Sequence, residues 1–370
     1  MSDYFMNMSK YIFAIVIFMF SHLSTADTKV TFIVPDVKGP TFWKLVADTS
    51  LAAADDLRID LKIIYSSTNR FALLETVNNI INQEIKPDYI VLRAITGNTQ
   101  QIFSLLEQAK IKFITIEQSI NRDQYEEFGA PRQYFKYWLG HIFYDDIAGG
   151  KLLRNALISA FKKRYPGKSI VLTGIGGDYT ELSLNRQQSL VDLIDKEKIN
   201  NVLFTQVFPV LWDPLILASR YSLIIKRYPD TNIFWAAGDQ LALTLIEEQK
   251  RLNHKLLIIG GFDWLPDALN SIQKGELTAS VGGHFLIAAT AMLKIADYEN
   301  GMDTLLLNSK ALNYELITAD NVNQYAKFIN NPQWEYIDFK KFSNFYSGDD
   351  VKDLSLKNIL SISTNKNLTN

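Results

Sequence analysis

Residues 260–285, GGFDWLPDALNSIQKGELTASVGGHF, gather the side chains best placed to handle a ligand. The apolar run that reaches Gly260 and Gly261 reads as a buried strand arriving at a close-packed turn. Phe262 and Asp263 follow at its carboxyl end, where open α/β sheets bind their ligands. Pro266 opens a helix with Leu265, Leu269 and Ile272 on one face, and Gly275 sits where a C-terminal cap belongs. A short second strand, residues 277–281, then runs into Gly282, Gly283 and His284. One ring and one carboxylate at a strand tip, with a return strand ending in glycines, make half of a binding cleft.

Covalent and metal chemistry find no matching pattern. There is no cysteine and no nucleophile-elbow serine, and His22, His141, His254 and His284 lack metal-ligand spacing. GIGGD (174–178) follows a strand, yet it lacks the G-x-G-x-x-G spacing and the downstream acid of a dinucleotide site. It reads as a tight loop beside a cleft. A formal charge of −2 with 12% aromatics leaves no nucleic-acid footprint. The expectation is a binder without a cofactor or metal, not an enzyme.

The elements that must position these residues alternate. VTFIVPD (30–36), LKIIYSS (61–67), DYIVLRA (88–94), KFITIEQ (112–118) and YWLGHIF (137–143) are strand runs. Helical periodicity fills the gaps, as in residues 69–83, where Phe71, Leu74, Val77 and Ile81 recur at spacings of three and four. After a polar segment at 119–135 and a long helix at 146–165, SIVLTGIG (169–176), VLFTQVF (202–208), NIFWAAG (232–238) and KLLIIGGFD (255–263) continue the alternation. Strand and helix at this pitch mean parallel sheets with helices on both faces. So many strands exceed one comfortable doubly wound sheet, so the expectation is two α/β lobes split near residue 143, with strand tips facing across a cleft.

Residues 1–26 have the layout of an export signal: Lys10, an apolar run at 11–20, and the small-residue site Ser24-Thr25-Ala26. The run is short for a membrane span. No cysteine follows to carry a lipid, so a soluble, periplasmic protein cleaved after Ala26 is expected, not a lipoprotein. Without disulfides it must rely on its core.

The opening stretch, a strand ending in Gly-Phe-Asp, a helix, a glycine and a short strand, resembles the corresponding segment of type I periplasmic solute-binding proteins of the ribose/galactose class. The resemblance runs over roughly residues 29–330. It implies a two-lobe periplasmic binding protein fold, each lobe a doubly wound parallel sheet, with the ligand in the cleft. The implied organisation is residues 27–143 plus about 284–308 in the N-terminal lobe and residues 144–283 plus about 309–345 in the C-terminal lobe. Residues 346–370 are expected to be a polar, disordered tail.

It also implies site residues. Phe42 and Trp43 resemble the family's paired aromatics, which either stack on the ligand ring or pack inward. Asp145, or its neighbour Asp146, either meets the ligand or caps the next helix, and Arg186 resembles the ligand arginine, whose fork suits vicinal hydroxyls or a carboxylate. Trp212 resembles the stacking tryptophan of galactose/glucose-binding members. Asp239 is retained from an Asn-Asp pair whose asparagine is Gly238 here. Glu117-Gln118 replaces an Asp-Arg pair, keeping the acceptor and losing the cation. Gly283 stands where the family has glutamine, and His284 either substitutes for it as a donor or caps the helix that follows. With Phe262 and Asp263, these residues imply hinge closure on a small polar, sugar-like solute. The partner would be the permease of an ABC importer or, alternatively, the periplasmic domain of a sensor histidine kinase or a chemoreceptor, approached by a monomer. A sugar-responsive repressor with the same core would need a helix-turn-helix where the export signal stands.

Overall fold

The computed structural model describes residues 27–35, 41–67, 69–93, 97–118, 126–197, 199–254, 257–305 and 311–363. The segment read as an export signal, residues 1–26, lies outside them.

Strands that are apolar on both faces dictate the architecture. In β1 (Thr28–Pro35), Val30, Phe32, Ile33 and Val34 are all buried, so helices must cover both sides of the sheet. β1 lies between β2 (Ile59–Ser66) and β3 (Tyr89–Arg93), and β4 (Lys112–Glu117) and β5 (Trp138–Phe143) extend a wholly parallel sheet in the order β2-β1-β3-β4-β5. The crossovers are α1 (Phe42–Asp56), α2 (Arg70–Ile81) and α3 (Thr99–Ala109). On one face, Leu73, Val77 and Ile80 of α2 and Ile102, Phe103 and Leu106 of α3 share a core with Ile90, Leu92 and Phe113.

The second sheet holds β6 (Ile170–Gly176), β7 (Val202–Pro209), β8 (Ile233–Ala236), β9 (Ile258–Phe262), β10 (Ala279–Gly282) and β11 (Glu315–Thr318). Its order is β11-β10-β9-β8-β6-β7, parallel except for the β10–β11 pair. Its helices are α4 (Asp146–Arg164), α5 (Glu181–Asp195), α6 (Pro214–Arg227), α7 (Asp239–Arg251) and α8 (Pro266–Gln273). Two of these starts are written in local chemistry. The Asp145 carboxylate accepts from the Ala148 N–H, and Asp213 accepts from the Leu215 N–H just ahead of Pro214.

The chain passes repeatedly between the lobes. It leaves β5 through Tyr144 and Asp145. It returns at Gly283, whose φ of 92° suits glycine, into α9 (Ile287–Glu299), which packs on α1, β4 and β5. Leu312 then pairs beside the first crossing, its N–H donating to the Phe143 carbonyl at 2.8 Å, and its own carbonyl accepting from the Asp145 N–H at 2.9 Å. β11 and α10 (Val322–Asn330) complete the second lobe.

Two C-terminal expectations need correction. The last part of the stretch expected in the second lobe, residues 334–345, returns to the first. Trp334, Ile337, Phe339 and Phe342 are buried, and this stretch packs on α1 and α9. Asp297 of α9 anchors it, accepting from Ser343 Oγ (2.5 Å), Asn344 Nδ2 (2.9 Å) and the Phe345 N–H (3.1 Å). Nor are residues 347–363 of the expected tail disordered; residues 364–370 lie outside the described residues. After the single turn α11 (Asn344–Ser347), helix α12 (Leu356–Ser363) buries Leu356 and Ile359 completely, because they stand three apart on one face.

Candidate functional site

The carboxyl ends of both sheets meet around a cavity of about 250 Å³. From the first lobe it is lined by Pro35, Thr41, Phe42, Trp43, Arg93 and Glu117. From the second come Leu182, Arg186, Trp212, Gln240, Asp263, Leu265 and the hinge residue His284.

Phe42 and Trp43 occupy the first turn of α1 and line the cavity together with Pro35, the last residue of β1. Trp43 is largely buried and presents only part of its ring. Phe42 stacks on His284, with centroids 4.4 Å apart and planes 25° from parallel. Beside them, Arg93 ends β3 and Glu117 ends β4, with Nε 2.8 Å from Oε2. The cation missing after Glu117 in the sequence is therefore supplied from the neighbouring strand. Burial pushes the Glu117 carboxyl up, against the pull of Arg93 and Arg186.

The opposite wall is built on Asp263, the first residue after β9, at φ 112°. Its N–H donates to the Val281 carbonyl at 2.8 Å, and its Oδ1 lies 3.3 Å from His284 Nε2 and 3.7 Å from Arg186 Nη1. Glu117 (φ 71°) and Trp212 (φ 60°) share this left-handed backbone. Such conformations cost about 1–3 kcal/mol each and persist where the surroundings enforce them, often at ligand clamps.

The ring of Trp212, a residue between β7 and α6, packs against the loop read as GIGGD. A Cβ at Gly177 would come within 2.1 Å of the indole Cε2, so only glycine lets the ring rest flat there. At Gly238 a Cβ would stand 3.3 Å from Asp263 Oδ2 and 3.7 Å from Trp212 Cζ3. No side chain stands at Gly238, the position where the resemblance implies an amide.

Arg186 spends its donors on the protein. Nε donates to Asp146 Oδ1 (3.1 Å), Nη1 to the Ala237 carbonyl (2.9 Å) and Nη2 to Tyr314 Oη (3.1 Å), while Tyr314 itself donates to Asp146 (2.7 Å). Its guanidinium sits 4.6 Å over the Phe262 ring. Burial opposes its charge, but Tyr314, Asp146 and Asp263 outweigh burial and raise its pKa. Burial also lowers His284 to about 4, with Arg186 adding to the effect, so the ring is neutral at pH 7.

Three expected contacts lie elsewhere. Phe262 is fully buried beneath Arg186, because it still belongs to β9 and points into the sheet core. Asp239 is buried behind the wall, accepting from the Leu265 N–H (3.0 Å) and Ser280 Oγ (2.9 Å), which fixes the loop carrying Asp263. Burial, then Asp263, pushes its pKa well up. Asp145 caps α4, and it is Asp146 that reaches Arg186. His284 caps no helix and faces Asp263 and Arg186. Sequence reasoning missed Arg93, whose only signal was a charge closing a buried strand run, and Gln240, Leu182 and Tyr314, which carried none.

The arrangement suits a neutral, hydroxyl-rich molecule. Asp263 and Glu117 offer acceptors from opposite walls, Arg93 offers donors, and Trp43 and Trp212 offer ring surface. Arg93 is balanced by Glu117 and Arg186 by Asp146, which leaves the Asp263 carboxylate to repel an anion. Among the described residues no group of three or more histidine, aspartate or glutamate side chains is placed to hold a metal ion.

The family model described as "periplasmic binding protein domain" matches residues 30–300. The ribose import binding protein of Escherichia coli (strain K12) is 23% identical over 258 residues, spanning 69% of this chain and 79% of that protein. Its Haemophilus influenzae counterpart is 30% identical over 143 residues, or 39% and 46% of the two chains. Among solved structures, a periplasmic sugar-binding protein from Pseudomonas fluorescens aligns with a TM-score of 0.78 at 23% identity, covering 90% of this chain and 99% of that one. The Caulobacter myo-inositol binding protein bound to myo-inositol aligns with a TM-score of 0.67 at 18% identity, covering 82% and 97%. At these identities the structural likeness carries the fold.

Proposed function

The chain belongs to the periplasmic binding protein domain family, and from that premise we propose that it captures a small neutral polyol, a sugar or cyclitol, between its lobes. The observation that carries this reading is the placement of Asp263 opposite the Arg93–Glu117 pair inside a cavity of about 250 Å³ with Trp43 and Trp212 on its walls. Buried polar groups left unpaired cost about 1–3 kcal/mol each, so closure is favoured when ligand hydroxyls satisfy them. Domain closure about the crossings at Tyr144 and Gly283 is the motion in view.

The relatives named as ribose import proteins support delivery to a membrane importer as the downstream step. The apolar run at residues 11–20, ahead of Ala26, supports export to the periplasm with cleavage. No helix among the described residues is long and apolar enough to cross a membrane.

Titration calorimetry with neutral pentoses, hexoses and cyclitols, beside their carboxylate counterparts, tests the proposal. Saturable binding of a neutral member, weakened at least about tenfold by Asp263→Ala, is expected. Binding of the carboxylates alone, or binding indifferent to Asp263→Ala, overturns it.

A further inference from the structure

A second cavity, of about 620 Å³, lies at the hinge. Lys294 enters it from α9 of the first lobe, and Glu315 from the start of β11 in the second. Both side chains are partly buried, yet among the described residues neither makes a hydrogen bond or an ion pair. Asp297 and Asp353 act on Lys294, and Lys357 on Glu315, only through space. Burial lowers the lysine and raises the carboxyl, as it does for charges without a close partner. An ammonium and a carboxylate that face one cavity without meeting each other lack the pairing that partly buried charges ordinarily have.

We propose that this cavity binds a small zwitterion of the α-amino acid or betaine class, its carboxylate on Lys294 and its cationic nitrogen on Glu315. Such a molecule carries one charge of each sign, the complement of the two side chains that line the cavity, and charge-assisted contacts of this kind are the stronger ones. Lys352, Asp353 and Lys357 stand at the exposed rim, with both signs present. Because its two ends are held by different lobes, the bound molecule bridges the hinge. Tyr144 makes the link to the cleft. It lines this cavity, its hydroxyl donates to the Gly283 carbonyl at 3.3 Å, and its ring lies 5.9 Å from His284. Occupancy therefore biases the opening angle on which cleft affinity depends.

The inference is independent of which solute fills the cleft. Ligand-observed NMR and calorimetry on the full chain, with the common α-amino acids and glycine betaine as probes, supply the test. At least one probe is expected to bind saturably, to lose at least about tenfold in affinity in both Lys294→Met and Glu315→Gln, and to keep its affinity in Asp263→Ala. Acetate and methylamine, each carrying one charge, are expected to bind far more weakly. No saturable binding by any probe, binding that survives both variants, or binding abolished by Asp263→Ala but not by Lys294→Met overturns the proposal. Glu315→Gln alone decides the matter if Lys294→Met does not fold.

Discussion

The Trp212 ring rests on the backbone of Gly177, close enough that a Cβ there would stand 2.1 Å from Cε2. Backbone and fused ring cannot both yield, so Gly177→Ala must tilt the indole out of the cavity wall. Binding of the cleft ligand is expected to weaken at least about tenfold in Gly177→Ala, with the melting temperature changing little, since Trp212 is only half-buried. Calorimetry and the fluorescence emission of Trp212, read against a Trp212→Phe control, check both halves.

Arg93 and Glu117 are nearly enclosed, at 13% and 11% side-chain exposure. Removing one partner strands the other charge, so Arg93→Met is expected to destabilise the protein by about 3 kcal/mol in urea unfolding. Arg93→Met combined with Glu117→Gln should recover most of that loss. A double variant no more stable than the single one would show that the pair is not the source.

Asp263 holds its wall at φ 112°, where a Cβ is strained. Asp263→Gly and Asp263→Ala both remove the carboxylate, but only glycine relieves the backbone. Both should lose ligand, while Asp263→Gly is expected to be the more stable by about 1 kcal/mol. Equal melting curves for the two variants would contradict the strained reading.

His141 and His284 are each lowered to about 4 by burial. A group lowered in the folded state gives stability above its unfolded pKa, near 6.5, and loses it as the pH falls toward the folded value. Each histidine should withdraw about 2 kcal/mol between pH 6.5 and pH 5. Glu117, Asp146 and Asp239, whose pKa values are raised by burial, titrate in the opposite sense. They are common to the wild type and His141→Gln, so the variant should lose less stability than the wild type on going from pH 7 to pH 5. Melting curves at the two pH values decide it.

Much of the scaffold was legible because strands buried on both faces leave apolar runs, as at residues 32–35 and 258–262. What the sequence could not reveal was register and direction. Phe262 and Asp263 are adjacent, yet one still belongs to β9 and points inward while the other has left it and faces the cavity. That distinction rests on where the strand stops, a boundary set by tertiary packing. Arg93 pairs with Glu117 only because β3 and β4 are neighbours in register, a fact about partners that neither run contains. Leu356 and Ile359 were hidden by the polar residues around them: a helix of eight residues buries little by itself and draws its order from the surface it meets.

The return of residues 334–347 to the first lobe has a consequence for how the chain matures. Asp297 waits for Ser343, Asn344 and Phe345, and α1 waits for the segment around Trp334, while every strand of the second sheet lies earlier in the chain. The first lobe to be synthesised is thus the last to be finished. No truncation before residue 347 leaves it whole, and the two lobes should unfold in one transition rather than as separable domains.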